Sequence, residues 1–306
     1  MSSEHKFPSP IGGIPFPHDF TPALIFTILY ALTVPVAVWR MIDKRSRSLS
    51  YIGTVTFSVE RIADFAIRAA EAQKPNIRTT NFFVSWLQSA YALGFLSTTQ
   101  DLNNIARLFV VKALKGTSFI VEIPPQAFED RTFLPLEEEQ PLKPMRLSGH
   151  TSNSSSYTSV VLRLQAIALG SVSGGLYFTG ITNETVAKVV RAMNYASTII
   201  VLFLQLVALY EVLWALSTRP NRIPRGPALY LCSMLCIIMI PSVYRLAAMS
   251  NSTTSLLSMA PGSLNGPMAK ALFYSLHIAP EWLSGAMLLA VNVKEVFGVP
   301  TGLKSQ

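Results

Sequence analysis

Five charged residues lie close together within one otherwise apolar stretch of the sequence: Glu60, Arg61, Asp64, Arg68 and Glu71. At about 100° per residue, a helix would place all five within an arc of roughly 100°. Residues four positions apart on a helix are neighbours, so Asp64 can neutralise part of the charge of Arg68. A face of this kind can bind a polar solute, exchange protons or pair with charges on another helix.

A second polar stripe lies near the C-terminus and would be about 80° wide on a helix. Pro280 directly precedes Glu281, and its missing backbone donor predicts a kink at that point. Arg61 and Glu281 each fall near the middle of their segments. We therefore predict that these two residues pair, or that both line one small polar cavity. The stripe consists of Lys270, Tyr274, His277, Glu281, Ser284, Asn292 and Glu295.

Long apolar blocks must position these residues. Of the 306 residues, 50% are hydrophobic and 14% are charged, whereas about a quarter are charged in typical soluble domains. Apolar blocks of about 18 residues or more are typical of membrane spans. The sequence therefore predicts an all-α, polytopic membrane protein with a seven-transmembrane-helix bundle within residues 21–298. The predicted helices cover residues 21–39, 50–70, 81–99, 157–179, 190–216, 227–248 and 268–293.

The distribution of basic residues predicts the orientation of the bundle. Four basic residues follow the first block between residues 40 and 47, and three arginines follow the fifth block between residues 219 and 225. The loop at 249–267 has no charged residue. Because cytosolic loops collect Lys and Arg, we expect residues 1–20 outside the cytosol and a cytosolic tail at 299–306. This placement also explains the net charge of +8 without a nucleic-acid partner.

The loops carry two further predictions. Residues 115–156 combine Pro124-Pro125, an acidic run and a Ser/Thr/Asn cluster. That composition predicts a mostly disordered cytosolic loop, which could engage a cytosolic partner. Glycosylation sequons begin at Asn183 and Asn251. Both lie in loops predicted outside the cytosol, so we expect glycosylation there.

The sequence argues against several kinds of chemistry. Of the four histidines, His277 alone falls in a predicted span, so a zinc site built on several histidines cannot form in the membrane. Lys270 lies near a helix end rather than at mid-depth, which disfavours a retinal Schiff base. The sequence contains no P-loop, no dinucleotide fingerprint and no GxSxG motif. We therefore expect no enzyme activity, no cofactor and no metal.

Other charged residues within the blocks are candidates for locking helices together. Arg163 and Glu211 fall in the cytosolic third of the fourth and fifth helices and could pair. Arg245, near the outer end of the sixth helix, is expected to face Glu71 or the C-terminal stripe. For each predicted pair, including Arg61–Glu281, a packing lock and a functional site stay open as alternatives.

The last third of the sequence resembles a known family. Tyr244-Arg245 is followed by an uncharged loop, then by Leu272-Phe273-Tyr274 and Pro280-Glu281-Trp282. This arrangement resembles the fungal seven-transmembrane proteins grouped as lipid-translocating exporter-like, and their uncharacterised fungal relatives. The resemblance implies a plasma-membrane or endomembrane protein linked to lipid or toxic-compound handling. It carries over two positions, Arg245 and Glu281.

Three functions follow as alternatives. The first is a transporter-like or lipid-handling bundle embedded in a lipid bilayer, in which a polar site at mid-depth binds a small polar or amphiphilic ligand. Protonation of Glu281 or His277 would couple to ligand movement. The second is a seven-helix receptor, and the third is a structural scaffold without a ligand. The candidate binding residues are Glu60, Arg61, Asp64, Tyr274, His277 and Glu281.

Overall fold

The computed structural model describes residues 2–43, 45–46, 51–115, 149–218 and 223–298. These residues form an all-α bundle in which the helix over Asn81–Lys115 is central, with contacts to most of the other long helices. A short helix, α9 (Val293–Phe297), follows the bundle. The long elements are α1 (Phe20–Ile42), α2 (Ile52–Gln73), α3 (Asn81–Lys115), α4 (Gly149–Thr182), α5 (Glu184–Thr218), α6 (Arg225–Ala248), and a final segment made of α7 (Pro267–Leu272), a π-helical turn (Phe273–Ile278) and α8 (Ala279–Ala290).

Four helices in the described part of the chain are long and apolar enough to cross a membrane. Large apolar side chains on their surfaces are exposed, for example Leu32 at 65% and Val243 at 55%, as expected where lipid replaces water. The α2 helix is long enough, but its charged residues lower its apolar content. The four helices support a membrane-embedded protein, whereas seven spans and their orientation stay predictions. They are Pro17–Ile42, Ser159–Thr182, Glu184–Thr218 and Arg225–Ala248.

Helices α3 and α4 extend furthest beyond their predicted bounds. The α3 helix runs on to Lys115, because its second half is amphipathic and buries Leu102, Ile105 and Phe109 in the core. The α4 helix begins at Gly149, within the predicted loop 115–156. The last residues of that loop, 149–156, therefore belong to α4, residues 116–148 lie outside the described residues, and the mostly disordered loop stays a prediction.

Close helix packing depends on two glycines of α4. A Cβ atom at Gly174 would lie 2.7 Å from the backbone of Ser89 in α3, and one at Gly170 would touch Leu93 and Ala92 at 3.3 and 3.4 Å. Small residues of this kind allow helices in membranes to approach each other closely. The GxxxG spacing therefore serves contacts within the bundle.

The N-terminal residues fold onto one end of the bundle. Strand β1 (Ser2–Pro8) pairs antiparallel with β2 (Ser252–Ser255), which follows α6. A short 3-10 helix (Pro17–Asp19) then leads into α1. Residues 7–15 are buried throughout, so the segment predicted to lie simply outside the membrane is part of the packed structure.

Candidate functional site

The polar face of α2 points into the bundle at four of its charged residues. They are fully buried, because their spacing of three and four residues places them on one side of the helix: Arg61, Asp64, Arg68 and Glu71. Arg61 Nη1 donates to Asp64 Oδ2 at 3.0 Å and to the backbone oxygen of Ala90 at 3.3 Å. Trp86 Nε1 donates to the other carboxylate oxygen of Asp64 at 2.9 Å.

Arg61 and Glu281 form the ion pair that the sequence predicts. Arg61 Nη2 lies 2.7 Å from Glu281 Oε1, and both side chains are completely buried. Gly94 of α3 makes room for this contact, because a Cβ atom there would collide with the guanidinium group. The rings of Phe57 and Tyr91 lie 4.8 and 5.4 Å from that group and contribute cation–π contacts.

Several buried atoms around this ion pair have no hydrogen-bond partner among the described residues. They are Arg61 Nε, both ring nitrogens of His277, Glu281 Oε2 and Ser284 Oγ. His277 Nδ1 lies 3.8 Å from Glu281 Oε2, too far for a hydrogen bond. Each unsatisfied buried group typically costs about 1–3 kcal/mol. We call Arg61, Asp64, His277 and Glu281 the polar centre, and its free atoms can accept or donate to a ligand.

Aromatic rings surround the imidazole of His277. Its ring centroid lies 5.5 Å from Phe273, 5.8 Å from Tyr244, and 6.2 Å from both Tyr91 and Phe95. Such a cage shields the ring from lipid and from water without satisfying its nitrogens.

The final segment carries His277 and Glu281 on an irregular backbone. The kink predicted before Glu281 takes the form of a π-helical turn over Phe273–Ile278, and Pro280 lies in the first turn of α8. The missing donor of Pro280 cannot sustain a regular α-helical ladder there. Single π-helical turns are frequent at functional sites.

An apolar groove lies against this irregular turn, between α6 and the final segment. Its volume is about 620 Å³, within the range of about 300–1,000 Å³ typical of small-molecule sites. Tyr244 lines the groove on one side and contacts the His277 ring on the other. The groove is lined by Cys236, Met239, Ile240, Val243, Tyr244, Ala247, Ala248, Asn251, Leu264, Ala269, Leu272 and Leu276.

A second ionic cluster lies around Arg68. The carboxylate of Asp19 contacts Arg68 Nη2 and Lys270 Nζ, each at 2.9 Å. Arg68 Nε also donates to the hydroxyl of Tyr274 at 2.9 Å, and that hydroxyl donates to Asp19 Oδ1 at 3.2 Å. We call Asp19, Arg68 and Lys270 the lock. The sequence analysis missed Asp19, because nothing in its local sequence indicates burial.

Two candidate binding residues do not lie where the sequence predicts. Tyr274 belongs to the lock rather than to the surroundings of Glu281. Glu60 is partly exposed and forms no ion pair within the described residues. The five charged side chains of α2 span too wide an arc for all of them to face inward, and Glu60 lies at its edge.

Arg163 and Glu211 have other neighbours, so that predicted pair is wrong. Arg245, by contrast, lies within electrostatic range of Glu281 in the C-terminal stripe, one of its two predicted partners. Arg163 donates to Asn104 of α3 at 2.8 Å, because its side of α4 faces α3. Glu211 of α5 lies within electrostatic range of Arg107 instead. Arg245 donates to Thr198 at 3.3 Å and to the backbone oxygen of Tyr91. It therefore faces α5 and α3, not Glu71, although the charge of Glu281 is within range.

One buried carboxylate that the sequence analysis did not single out holds the start of α2. Asp101 Oδ2 accepts hydrogen bonds from the backbone nitrogen and the hydroxyl of Thr54, both at 2.7 Å. A carboxylate at a helix N-terminus satisfies free backbone donors and complements the helix dipole. Asp101 therefore stabilises the helix that carries Arg61 and Arg68.

The predicted glycosylation sites differ in accessibility. Asn183 is exposed and caps α5, accepting from the backbone nitrogens of Thr185 and Val186 at 3.0 and 3.2 Å. Asn251 is partly buried, and its Nδ2 donates to Ala248 at 3.0 Å. Glycosylation at both sites stays a prediction.

No group of three His, Cys, Asp or Glu side chains suited to a metal ion occurs in the described ranges. Comparisons with known protein families, with characterised proteins and with solved structures gave no match to this chain. The likeness to the fungal exporter-like family therefore stays a prediction.

Proposed function

We propose that this protein is a seven-span membrane transporter that handles a lipid or another amphiphile through the groove and the polar centre. One observation supports the proposal: the ring of Tyr244 lies between an apolar groove and the imidazole of His277. Both ring nitrogens of His277 and Oε2 of the neighbouring Glu281 are buried and unsatisfied. An amphiphile offers the two matching parts, an apolar chain for the groove and a polar group for the centre.

The groove supplies the apolar half of this site. It lies along α6, one of the four helices suited to a membrane, so hydrocarbon rather than water surrounds its mouth. Between Cys236 and Ala248 it follows α6, which corresponds to about 18 Å of helix. That length exceeds half of a hydrocarbon core of about 30 Å. A lipid chain from one leaflet can therefore enter from the side.

Glu281 supplies the polar half. One of its oxygens pairs with Arg61, and the other is free to take up a proton or to accept a hydrogen bond from a ligand. Ionisable groups within membrane helices commonly mark transport and proton pathways. We propose that protonation of Glu281, assisted by His277, couples to movement of the amphiphile.

Transport of a fluorescent phospholipid in proteoliposomes tests the proposal. The probe carries a nitrobenzoxadiazole group, and dithionite bleaches the molecules in the outer leaflet. The wild-type protein is expected to accelerate exchange between leaflets. Glu281→Gln should slow that exchange about tenfold or more, because it removes the proton-accepting group and leaves Arg61 with one charged partner fewer.

Glu295→Gln is the matched control, because Glu295 lies on the exposed surface of α9. It should exchange the probe at the wild-type rate. Equal rates for Glu281→Gln and wild type, with both proteins monodisperse, would count against the polar centre. No exchange by the wild-type protein would count against transport of phospholipids altogether.

A structural scaffold is the second candidate, and the density of buried ion pairs favours it. Arg61–Glu281 and Arg68–Asp19 are direct contacts between fully buried side chains. If they serve packing alone, blocking the groove should change no measurable function. The receptor alternative depends largely on loop 115–156, of which residues 116–148 lie outside the described residues.

A further inference from the structure

We infer that residues 7–19, which we call the plug, are a removable occupant of a site at one end of the bundle, and that the lock holds them there. Removal of the plug opens a route to the polar centre. This last step rests on the proposed function, in which the plug lies on the side away from the cytosol.

Residues 12–14 of the plug are bound like a peptide ligand. The backbone oxygens of Gly12 and Ile14 accept hydrogen bonds from Lys270 Nζ at 2.8 and 2.6 Å. Gly12 also accepts from Arg68 Nη2 at 2.6 Å. These carbonyl groups have side-chain partners from the bundle in place of a regular strand or helix.

The backbone of the plug has a shape that only glycine adopts without strain. Gly12 and Gly13 have φ values of +74° and +60°. A Cβ atom at Gly12 would lie 2.7 Å from the ring of Phe273, and one at Gly13 would collide with the backbone of Leu264. The two glycines thus let the chain bend tightly against the wall of the site.

Other contacts to the plug come from separate parts of the bundle. Gln88 of α3 exchanges two hydrogen bonds with the backbone of Ile11, at 2.9 and 3.3 Å. Asn265 accepts from the nitrogen of Ile14 at 2.8 Å, and Tyr177 of α4 donates to the oxygen of Pro8 at 2.6 Å. The bundle therefore forms a cavity with specific polar contacts, and the plug occupies it.

The ion pairs of the lock bind the plug to the bundle. Asp19, at the end of the plug, is the one carboxylate that bridges both Arg68 and Lys270 in the described structure. Without it, two buried cations would lie close together with carbonyl and hydroxyl partners and with the carboxylate of Glu71, which acts on both without a direct ion pair. The loss of one partner from a buried ion pair is strongly destabilising, so neutralising Asp19 should favour the released state.

The plug and the polar centre are neighbours along α2. Arg68 follows Arg61 by seven residues, so the two lie on the same face of α2, about 10 Å apart along the axis. The ring of Tyr91 lies between them, 5.4 Å from the Arg61 guanidinium and 6.0 Å from that of Arg68. A water-soluble molecule that replaced the plug would therefore have one ring left between it and the polar centre.

Cysteine accessibility in the full-length protein tests this inference without any transport measurement. Cys232 and Cys236 are the two cysteines of the chain and are first replaced by serine. Ile14→Cys then reports on the plug and Ser284→Cys on the polar centre. A membrane-impermeant maleimide should label both slowly. Adding Asp19→Asn should raise both labelling rates about tenfold or more, because the released plug exposes them.

Glu184→Gln is the matched control, because it removes an ion pair to Lys188 at 2.8 Å that is exposed to solvent. It should leave both labelling rates unchanged. Unchanged rates with Asp19→Asn would overturn the inference. Faster labelling of Ile14→Cys alone would show that the plug moves without opening the route, and would overturn the gating step.

A third reporter, Ala215→Cys in the core of α5, distinguishes release from unfolding, because Ala215 is buried far along the chain from the plug. It should stay protected. If Asp19→Asn exposes it, Lys270→Gln replaces that variant, since it keeps the Asp19–Arg68 pair, and a smaller rise at the other two positions is expected. If the wild-type protein exchanges no phospholipid but the labelling rates change as expected, the transport proposal is contradicted and the plug inference is still supported.

Discussion

Two buried ionic clusters share the same face of α2, and they differ in how completely their hydrogen bonds are satisfied. In the lock, every polar side-chain atom of Asp19, Arg68 and Lys270 has a partner. In the polar centre, Glu281 and His277 keep free atoms. A satisfied network rigidifies a structure, whereas an incomplete one is costly unless a ligand or a proton completes it. We therefore expect the lock to hold its helices together and the polar centre to bind and release a ligand or a proton.

The lock should matter most for stability. Asp19→Ala leaves Arg68 and Lys270 without a direct ion pair and is expected to lower the free energy of unfolding by about 3–5 kcal/mol. Thermal unfolding in detergent measures this loss. Glu281→Gln keeps a hydrogen-bonding side chain beside Arg61 and should cost less. A larger loss for Glu281→Gln would reverse the roles of the two clusters.

The polar centre should tolerate no extra atom at Gly94. Gly94→Ala places a methyl group against the Arg61 guanidinium and should destabilise the protein by about 1–3 kcal/mol. Gly175→Ala in α4 is the control, because a Cβ atom there meets nothing within 4 Å. Its effect should be neutral or stabilising by up to about 1 kcal/mol. Equal effects of the two substitutions would show that the close fit of Arg61 is unimportant.

His277 should separate stability from activity. His277→Phe removes two buried nitrogens that lack partners and keeps a ring within an aromatic cage. The free energy of unfolding should therefore stay unchanged or rise by about 1 kcal/mol, while phospholipid exchange falls. Lower stability with normal exchange would mean that His277 is a structural residue.

The smallest change in stability is expected from the groove. Ala247→Trp fills the groove from its exposed wall and should change the free energy of unfolding by no more than about 0.5 kcal/mol, yet slow phospholipid exchange. Leu229→Trp, at an exposed position of α6 outside the groove, is the control and should exchange the probe normally. Normal exchange by Ala247→Trp would favour the scaffold alternative.

Helical periodicity correctly predicted that most charged side chains of a single helix, α2, are buried. It placed Arg61 and Asp64 on the buried side of α2, and equal depth along two helices brought Arg61 to Glu281. It did not predict the partners of charged side chains that depend on how each helix is rotated about its axis relative to its neighbours. Arg163 and Glu211 lie at similar depth but face different neighbours. Arg245, although near Glu281 as predicted, donates its hydrogen bonds to α3 and α5.

The sequence by itself determined an all-α protein with helices suited to a membrane, because apolar blocks of sufficient length leave few other folds. It also determined that charges would be buried within those helices. Only the tertiary structure decided which charges meet, and that an N-terminal segment would pack onto one end of the bundle. The physical reason is that Arg68 and Lys270 need partners that their own helices do not supply, and the carbonyl groups and Asp19 of a distant segment provide them.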